Sequence, residues 1–265
     1  MGNLQKELEK IGISKAKKET NKEVYERIIR SDGRKWNECR KIIIEPDYIK
    51  NADGSCLISY GNTKVICTAM LTDEAPSFAK DKGIGWLTCE YSMLPGSTLK
   101  RKARDRNKID GRSIEIQRLI GRSIRGGVDL TCFPGYSIYV DTDVINADGG
   151  TRTASITGGF VATALAFKKY ISRGLIKVNP IKNYVAAISI GIVDNAILLD
   201  LMYEEDEKAF CDMNVIATDH GELVNVSAES GGDSFGKTQF LQMLDLAIEQ
   251  IVKITKIQKE VVEKY

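Results

Sequence analysis

Short runs of apolar and β-branched residues occupy much of the chain and predict strands. Two of these runs, at 55–60 and 64–71, flank Gly61, Asn62 and Thr63, and this arrangement predicts a β-hairpin. Comparable runs predict two more hairpins in the second half of the chain. The predicted strands are 42–44, 55–60, 64–71, 83–92, 136–145, 185–193, 196–201, 211–218 and 223–226.

Other segments carry apolar residues at helical spacing. In one of them, Ile116, Ile120 and Ile124 recur every four residues and therefore share one helix face. The predicted helices are 113–128, 160–170 and 234–264. Hairpins outnumber the crossover connections that a parallel sheet requires. The order of elements therefore predicts an α+β fold, with mixed or antiparallel sheets layered with helices.

We expect a single domain at residues 30–265, preceded by a charged extension at residues 1–29. Leu4, Leu8 and Ile11 lie at helical spacing in this extension, which fits a short amphipathic helix or, equally, a mobile segment. The extension lacks the apolar core of a signal peptide, and no apolar run is long enough to span a bilayer. We therefore expect a cytoplasmic protein with no membrane partner.

The amino-acid composition limits the kinds of catalytic site that the chain can form. Hydrophobic residues make up 43% of the chain and charged residues 28%, as in ordinary soluble globular proteins. The six cysteines form no C-x-x-C pair, which argues against a zinc site and favours reduced thiols. Serine–histidine or cysteine–histidine catalysis would depend entirely on His220, the single histidine, which lies in a predicted turn. Carboxylates, a metal or the substrate's own groups are better suited to any acid–base work.

Charge is distributed unevenly although the net charge is only +2. A predicted loop at 95–109 holds most of a dense basic run that includes Arg101 and Arg104. Such a run is either a solvated surface or a surface that follows a nucleic-acid backbone, and its density in a nearly neutral chain favours nucleic-acid binding. The basic run consists of Lys100, Arg101, Lys102, Arg104, Arg106, Lys108 and Arg112.

A glycine pair, Gly149 and Gly150, joins the predicted strand 136–145 to the predicted helix that follows. The glycines allow a tight turn and a close approach of a ligand to the backbone. The free N–H groups of the helix start attract anions, and the guanidinium group of Arg152 matches phosphate oxygens. The junction therefore predicts a phosphate site, although a helix start capped by Thr151 would give the same pattern.

Three carboxylates, Asp200, Asp206 and Asp212, recur every six residues near the third hairpin. A nearby pair could hold a divalent ion through oxygen ligands, or supply a proton to a leaving oxygen. They could also simply cap turns, as aspartate often does.

Several motifs together resemble the ribonuclease PH family, and the resemblance covers roughly residues 30–262. The central motif is Asp148-Gly-Gly-Thr-Arg-Thr-Ala-Ser-Ile-Thr157. The other motifs are Arg30-Ser-Asp-Gly-Arg34, Gly61-Asn-Thr-Lys-Val-Ile-Cys-Thr68, Glu90-Tyr-Ser-Met-Leu-Pro95, Ile114-Glu-Ile-Gln-Arg-Leu-Ile-Gly-Arg122, Asp200-Leu-Met-Tyr-Glu-Glu-Asp206 and Asp212-Met-Asn-Val215.

The resemblance implies a ribonuclease PH-like fold and a phosphorolytic 3′→5′ exoribonuclease. Such an enzyme, a tRNA nucleotidyltransferase, trims precursor tRNA 3′ ends with inorganic phosphate as co-substrate and releases nucleoside diphosphates. It also implies a homo-oligomer, a hexameric ring, and a divalent ion such as Mg²⁺. By matching positions, the implied roles are phosphate binding by Arg112, Gly150, Thr151 and Arg152, catalysis and metal binding by Asp206 and Asp212, and RNA binding by Arg101 and Arg104.

One departure from the family pattern concerns RNA binding. Gly96 stands where bacterial members usually carry an arginine, and the basic loop is about two residues shorter than usual. Two other function classes predict sequence features that differ from those of this chain. A non-catalytic RNA-binding subunit of an exosome-like ring would be expected to lack the site residues, which this chain retains. A small-molecule phosphotransferase would be expected to carry a G-x-x-x-x-G-K-[ST] loop, which this sequence lacks.

Overall fold

A computed structural model describes residues 28–104, 110–232 and 234–265. The amphipathic pattern of Leu4, Leu8 and Ile11, and the basic residues Arg106 and Lys108, lie outside these described residues. Within the described residues, no helix is both long and apolar enough to cross a bilayer.

Five strands form the first sheet in the order β1-β2-β3-β5-β4. Strands β4 and β5 run parallel, and the other neighbours are antiparallel, so the sheet is mixed. The predicted hairpin across Gly61 and Asn62 is the β2–β3 pair, with Tyr60 opposite Thr63. The strands are β1 (Ile42–Pro46), β2 (Gly54–Tyr60), β3 (Thr63–Thr72), β4 (Trp86–Met93) and β5 (Ser137–Asn146).

Four strands form the second sheet in the order β7-β6-β8-β9, and every pairing in it is antiparallel. It contains the two predicted hairpins of the second half of the chain. Strand β7 stops at Leu199 rather than at the predicted residue 201, because Asp200 has a left-handed backbone (φ 55°) that ends the extended chain. The strands are β6 (Val185–Val193), β7 (Ala196–Leu199), β8 (Cys211–Thr218) and β9 (Leu223–Ser230).

The helices of the described residues are α1 (Ser77–Lys80), α2 (Gly111–Gly126), α3 (Thr151–Ser172), α4 (Tyr203–Lys208) and α5 (Lys237–Lys264). A short 3₁₀ turn, Leu130–Cys132, precedes β5. All three long helices were predicted, but α3 begins at Thr151, nine residues before the predicted start at residue 160. Helices α1 and α4 have only one or two turns, which is too short for a periodic apolar pattern to reveal them.

Helix α3 is the central element of the core and packs against strands of both sheets. It is buried around nearly its whole circumference, as expected for a helix with apolar or small residues on every face. Gly54 of β2 permits this packing, since a Cβ atom there would lie 2.1 Å from the carbonyl oxygen of Ala162. Helix α5 packs on β6 and β8, and the side chain of Gln258 donates to the carbonyls of Thr157 and Val185. The α+β prediction is confirmed.

All six cysteines are unpaired, and four of them lie buried in strands: Cys56, Cys67, Cys89 and Cys211. The predicted reduced thiols agree with this arrangement.

Candidate active site

A cleft of about 480 Å³ opens between the start of α3, the start of α2 and the loop-and-strand region around α4 and β8. It collects side chains from segments that are far apart in sequence. Six of the predicted site residues line it: Arg112, Gly150, Thr151, Arg152, Asp206 and Asp212. The cleft therefore holds two arginines, a helix start and two carboxylates within one cavity.

The glycine loop, residues 148–152, joins β5 to α3 and forms one wall of the cleft. Gly149 and Gly150 have left-handed φ angles of 72° and 66°. At Gly149 even a methyl group would collide, because its Cβ would lie 2.5 Å from the carbonyl oxygen of Leu201. These two positions require glycine for backbone angle and, at Gly149, also for space.

The start of α3 differs from the capped helix start considered as an alternative. Gly150 is the N-cap residue, and no side chain caps the first turn. Thr151 is the first helical residue, and its hydroxyl pairs with the phenol oxygen of Tyr91 at 3.0 Å. The Thr151 cap is therefore wrong. The first-turn N–H groups of α3 remain available to an anion in the cleft.

Arg40, which was not predicted as a site residue, holds the glycine loop through hydrogen bonds to its backbone. Its guanidinium group donates to the carbonyl oxygens of Asp148 and Gly149, the latter at 3.3 Å. It also pairs with the fully buried Asp200 through two bonds of 2.9 and 2.8 Å. Thr63 donates to the carbonyl of Gly149 at 2.6 Å and accepts from the backbone N–H of Asp148 at 3.0 Å. The loop is thus held at both peptide groups before the helix begins.

A second buried ion pair fixes helix α4, whose first residue lies against the glycine loop. Arg30 donates to both carboxylate oxygens of Glu205, at 2.7 and 2.6 Å. Glu205 in turn accepts from the backbone N–H of Met202 at 3.0 Å, which closes the first turn of α4. Because Asp206 follows Glu205 directly, this pair sets the position from which Asp206 enters the cleft.

The environment of Asp206 in the cleft changes the pKa of its carboxyl group. Partial desolvation raises the pKa of Asp206, and the nearby carboxylate of Asp212 adds to the rise. The guanidinium groups of Arg152, Arg112 and Arg40 oppose it. Asp206 nevertheless remains exposed to solvent. A carboxyl with a raised pKa beside a second carboxylate is suited to proton exchange or to cation binding.

Arg112 is exposed in the first turn of α2, where it faces the cleft. Helix α2 begins two residues before the predicted start because Asp110 caps it, accepting from the N–H of Ser113 at 2.8 Å. Lys102 lines the cleft and pairs with Asp110 at 3.0 Å. The hydrogen bonds from Ser113 and Lys102 lower the pKa of Asp110.

Arg101 and Arg104 are also exposed, but they are not among the residues that line the cleft. The structure therefore separates the predicted RNA-binding arginines from the other six site residues. His220, whose side chain is 68% exposed, lies in the turn between β8 and β9 and is not part of the cleft either.

Several other cleft residues were not predicted, among them Tyr91, Ser189, Tyr203 and Asn214. Asn214 could have been found from strand periodicity, since it lies two residues after Asp212 and therefore on the same face of β8. Tyr91 and Ser189 give no such signal in the sequence. Neither does Arg40, whose partner Asp200 is 160 residues away.

Family models and similar proteins point to the same family. Residues 38–169 match the model of the 3′ exoribonuclease family, domain 1, and residues 183–250 match domain 2 of the same family. Ribonuclease PH of Bacillus pumilus is 50% identical over 236 residues, which cover 88% of this chain and 98% of that protein. Ribonuclease PH of Moorella thermoacetica is 46% identical over 88% of this chain and 94% of its own length.

The fold is shared with a solved exosome structure from Archaeoglobus fulgidus, described with RNA bound to its active site. The two chains superpose with a TM-score of 0.73, over 89% of this chain and 96% of that one, at 24% identity. At this identity the likeness concerns the fold alone.

Proposed function

We propose that this chain trims precursor tRNA 3′ ends at the cleft described above. The chain belongs to the ribonuclease PH family and is a phosphorolytic 3′→5′ exoribonuclease. The observation that carries the assignment of the site is the meeting of two distant arginines, Arg112 and Arg152, with the glycine loop and two carboxylates. The argument for each role follows from the chemistry that phosphorolysis requires.

Phosphorolysis needs an anion held in line with the scissile bond. In the proposed reaction, an oxygen of inorganic phosphate attacks the last phosphodiester phosphorus of the RNA. The bond from that phosphorus to the 3′-oxygen of the preceding nucleotide breaks, and a nucleoside diphosphate is released. No histidine is required, because phosphate is itself the nucleophile. Fixing it in place removes much of the entropic cost of the encounter.

Arg112, Arg152 and the first N–H groups of α3 are the proposed phosphate ligands. Two guanidinium groups offset the repulsion between phosphate and the RNA backbone, and they stabilise charge as it develops. Gly150 leaves room for the anion, and Thr151 is held in place by Tyr91. The loop beneath is fixed by Arg40, so little rearrangement is needed when phosphate binds.

The departing 3′-oxygen must take up a proton. Asp206 is suited to hold that proton, because desolvation and the neighbouring Asp212 raise its pKa. The same two carboxylates also fit a Mg²⁺ ion, which commonly binds one or two carboxylates together with substrate phosphates and water. The described residues contain no metal-binding cluster of three or more acidic, histidine or cysteine side chains. A bound Mg²⁺ would supply positive charge to the phosphate oxygens.

Arg101 and Arg104 are proposed to hold RNA upstream of the cut. Their exposure outside the cleft suits contacts to the RNA backbone rather than to the attacking phosphate. We further propose a hexameric ring in the cytoplasm. The ring is supported by the exosome assembly named for the structural relative, and by the family to which the chain belongs. A non-catalytic ring subunit is not favoured, because all six cleft residues are retained.

The test uses the purified protein and a precursor tRNA with a short 3′ trailer. With phosphate and Mg²⁺ present, we expect stepwise shortening of the trailer and release of nucleoside diphosphates. The same RNA with a blocked 3′ end is the control and should stay intact. Shortening of the blocked RNA, or equal degradation of the tRNA body and the trailer, would refute the proposed role.

A further inference from the structure

One exposed aromatic side chain stands inside the cleft. Tyr203 is the first residue of α4, lines the cleft and is 47% exposed. The other tyrosine of the cleft, Tyr91, is 4% exposed, and its hydroxyl is engaged by Thr151. Of these two rings, only that of Tyr203 offers its surface to a ligand.

The backbone of Tyr203 is fixed directly against the glycine loop. Its N–H donates to the side chain of Asp148 at 3.3 Å, and a Cβ atom on Gly149 would lie 2.9 Å from its nitrogen. On its other side, the buried pair of Arg30 and Glu205 anchors the same short helix. The ring is therefore carried by a rigid support at the edge of the proposed phosphate site.

Tyr203 also stands beside the proposed acid. Tyr203 and Asp206 are three residues apart on α4, so their side chains lie on the same side of the helix, and both line the cleft. A terminal nucleotide whose phosphodiester is attacked beside Arg152 must place its base within one nucleotide length of that point. Tyr203 and Arg152 line the same cleft.

We propose that the ring of Tyr203 stacks on the 3′-terminal base of the RNA and so positions the last phosphodiester for attack. This rests on the proposed function, since it assigns the 3′-terminal nucleotide to this cleft. Stacking on an aromatic side chain tolerates every base, because each base has a π face. The contact would therefore hold the terminal nucleotide without selecting its identity, which suits an enzyme that removes successive nucleotides.

The test measures equilibrium binding in phosphate-free buffer, where no phosphorolysis occurs. Two oligoribonucleotides of the same sequence are compared, one intact and one whose 3′-terminal nucleotide lacks its base. Tyr203→Ala should weaken binding of the intact RNA by roughly five- to 100-fold, the range expected for one stacked base. It should leave binding of the abasic RNA unchanged. Tyr203→Phe keeps the ring and should bind both RNAs as the unmodified protein does.

Tyr139→Ala is the matched control, because Tyr139 is 44% exposed and does not line the cleft. It should change neither affinity. The proposal is overturned if Tyr203→Ala weakens both RNAs equally, or if it has no larger effect than Tyr139→Ala. Thermal unfolding of each variant checks that the fold is retained. Phosphorolysis by the unmodified protein is measured separately, so a failure of the proposed function is distinguishable from a failure of the stacking contact.

Discussion

The glycine loop and the basic loop both carry arginines towards the substrate, but they are built differently. The glycine loop rests on Arg40, Thr63 and the buried Asp200, and the carbonyl groups of both Asp148 and Gly149 accept hydrogen bonds. Arg101 and Arg104 in the basic loop are exposed to solvent. The difference shows how the two tasks differ physically. Holding a nucleophile in line requires fixed geometry, whereas attracting a polyanion requires charge at the surface.

The largest effect is expected at the carboxylates. Asp206→Asn should lower kcat by on the order of 100- to 10,000-fold, because the amide neither holds a transferable proton nor binds a cation well. Asp212→Asn should act similarly. Single-turnover rates at saturating RNA and phosphate measure this, with RNA affinity in phosphate-free buffer as the control. A loss of less than a few-fold would remove both residues from the chemistry.

The next effect separates phosphate binding from RNA binding. Arg152→Ala should raise the KM for phosphate by roughly ten- to 100-fold, the value of about one or two charged hydrogen bonds, and leave RNA affinity nearly unchanged. Arg118→Ala, an exposed arginine of α2 outside the cleft, is the matched control. Loss of RNA binding with an unaltered phosphate KM would show that Arg152 binds RNA and not the attacking phosphate.

The glycine loop itself can be tested without altering any charge. Gly149→Ala forces a left-handed residue to carry a Cβ atom 2.5 Å from a carbonyl oxygen, so the loop must shift. Gly83→Ala is the control, because Gly83 has a similar φ of 64° but open space around it. Backbone strain should lower the free energy of unfolding of both variants by about 1 kcal/mol. Only Gly149→Ala should also raise the phosphate KM several-fold. Equal kinetics for the two variants would show that the loop position is unimportant.

The basic loop predicts a smaller and salt-sensitive effect. The double variant Arg101→Ala and Arg104→Ala should weaken RNA binding and flatten its dependence on salt. For single-stranded RNA, the logarithmic slope should fall by about 1.4, or about 0.7 per phosphate contact. The phosphate KM should stay unchanged. An unaltered salt slope would mean that these arginines form only a solvated surface.

The smallest effect is expected from a substitution that adds a positive charge to the basic loop. Gly96 is exposed, and no atom lies within 4 Å of where its Cβ would be, so Gly96→Arg fits without strain. It introduces the arginine that the family resemblance implies at this position and should raise RNA affinity a few-fold at low salt. Gly96→Ala serves as the uncharged control. Equal affinity of the two variants would show that this position does not face the RNA.

Much of this arrangement was accessible from the sequence because local patterns determine it. The hairpin at Gly61 and the long helices follow from turn chemistry and periodicity. The glycine loop was recognisable because Gly149, Gly150 and Arg152 lie within four consecutive residues. The family resemblance supplied the roles of Arg112, Asp206 and Asp212.

The supports of the site were not accessible in the same way. Arg40 meets Asp200, and Arg30 meets Glu205, only after the two halves of the chain pack together. Arg30 belongs to a motif of the family resemblance, but neither its sequence context nor that of Arg40 reveals the carboxylate with which it pairs. Thr151 looked like a helix cap because sequence alone does not reveal that Gly150 has a left-handed backbone. Long-range pairing and backbone angle are properties of the folded chain.

The most direct test of the central claim follows the oxygen atoms of the nucleophile. RNA is incubated with the protein, Mg²⁺ and inorganic phosphate labelled with oxygen-18, and the released nucleotides are analysed by mass spectrometry. Attack by phosphate predicts nucleoside diphosphates whose terminal phosphate carries the label, and no release when phosphate is omitted. Nucleoside monophosphates, released equally well without phosphate, would contradict the account.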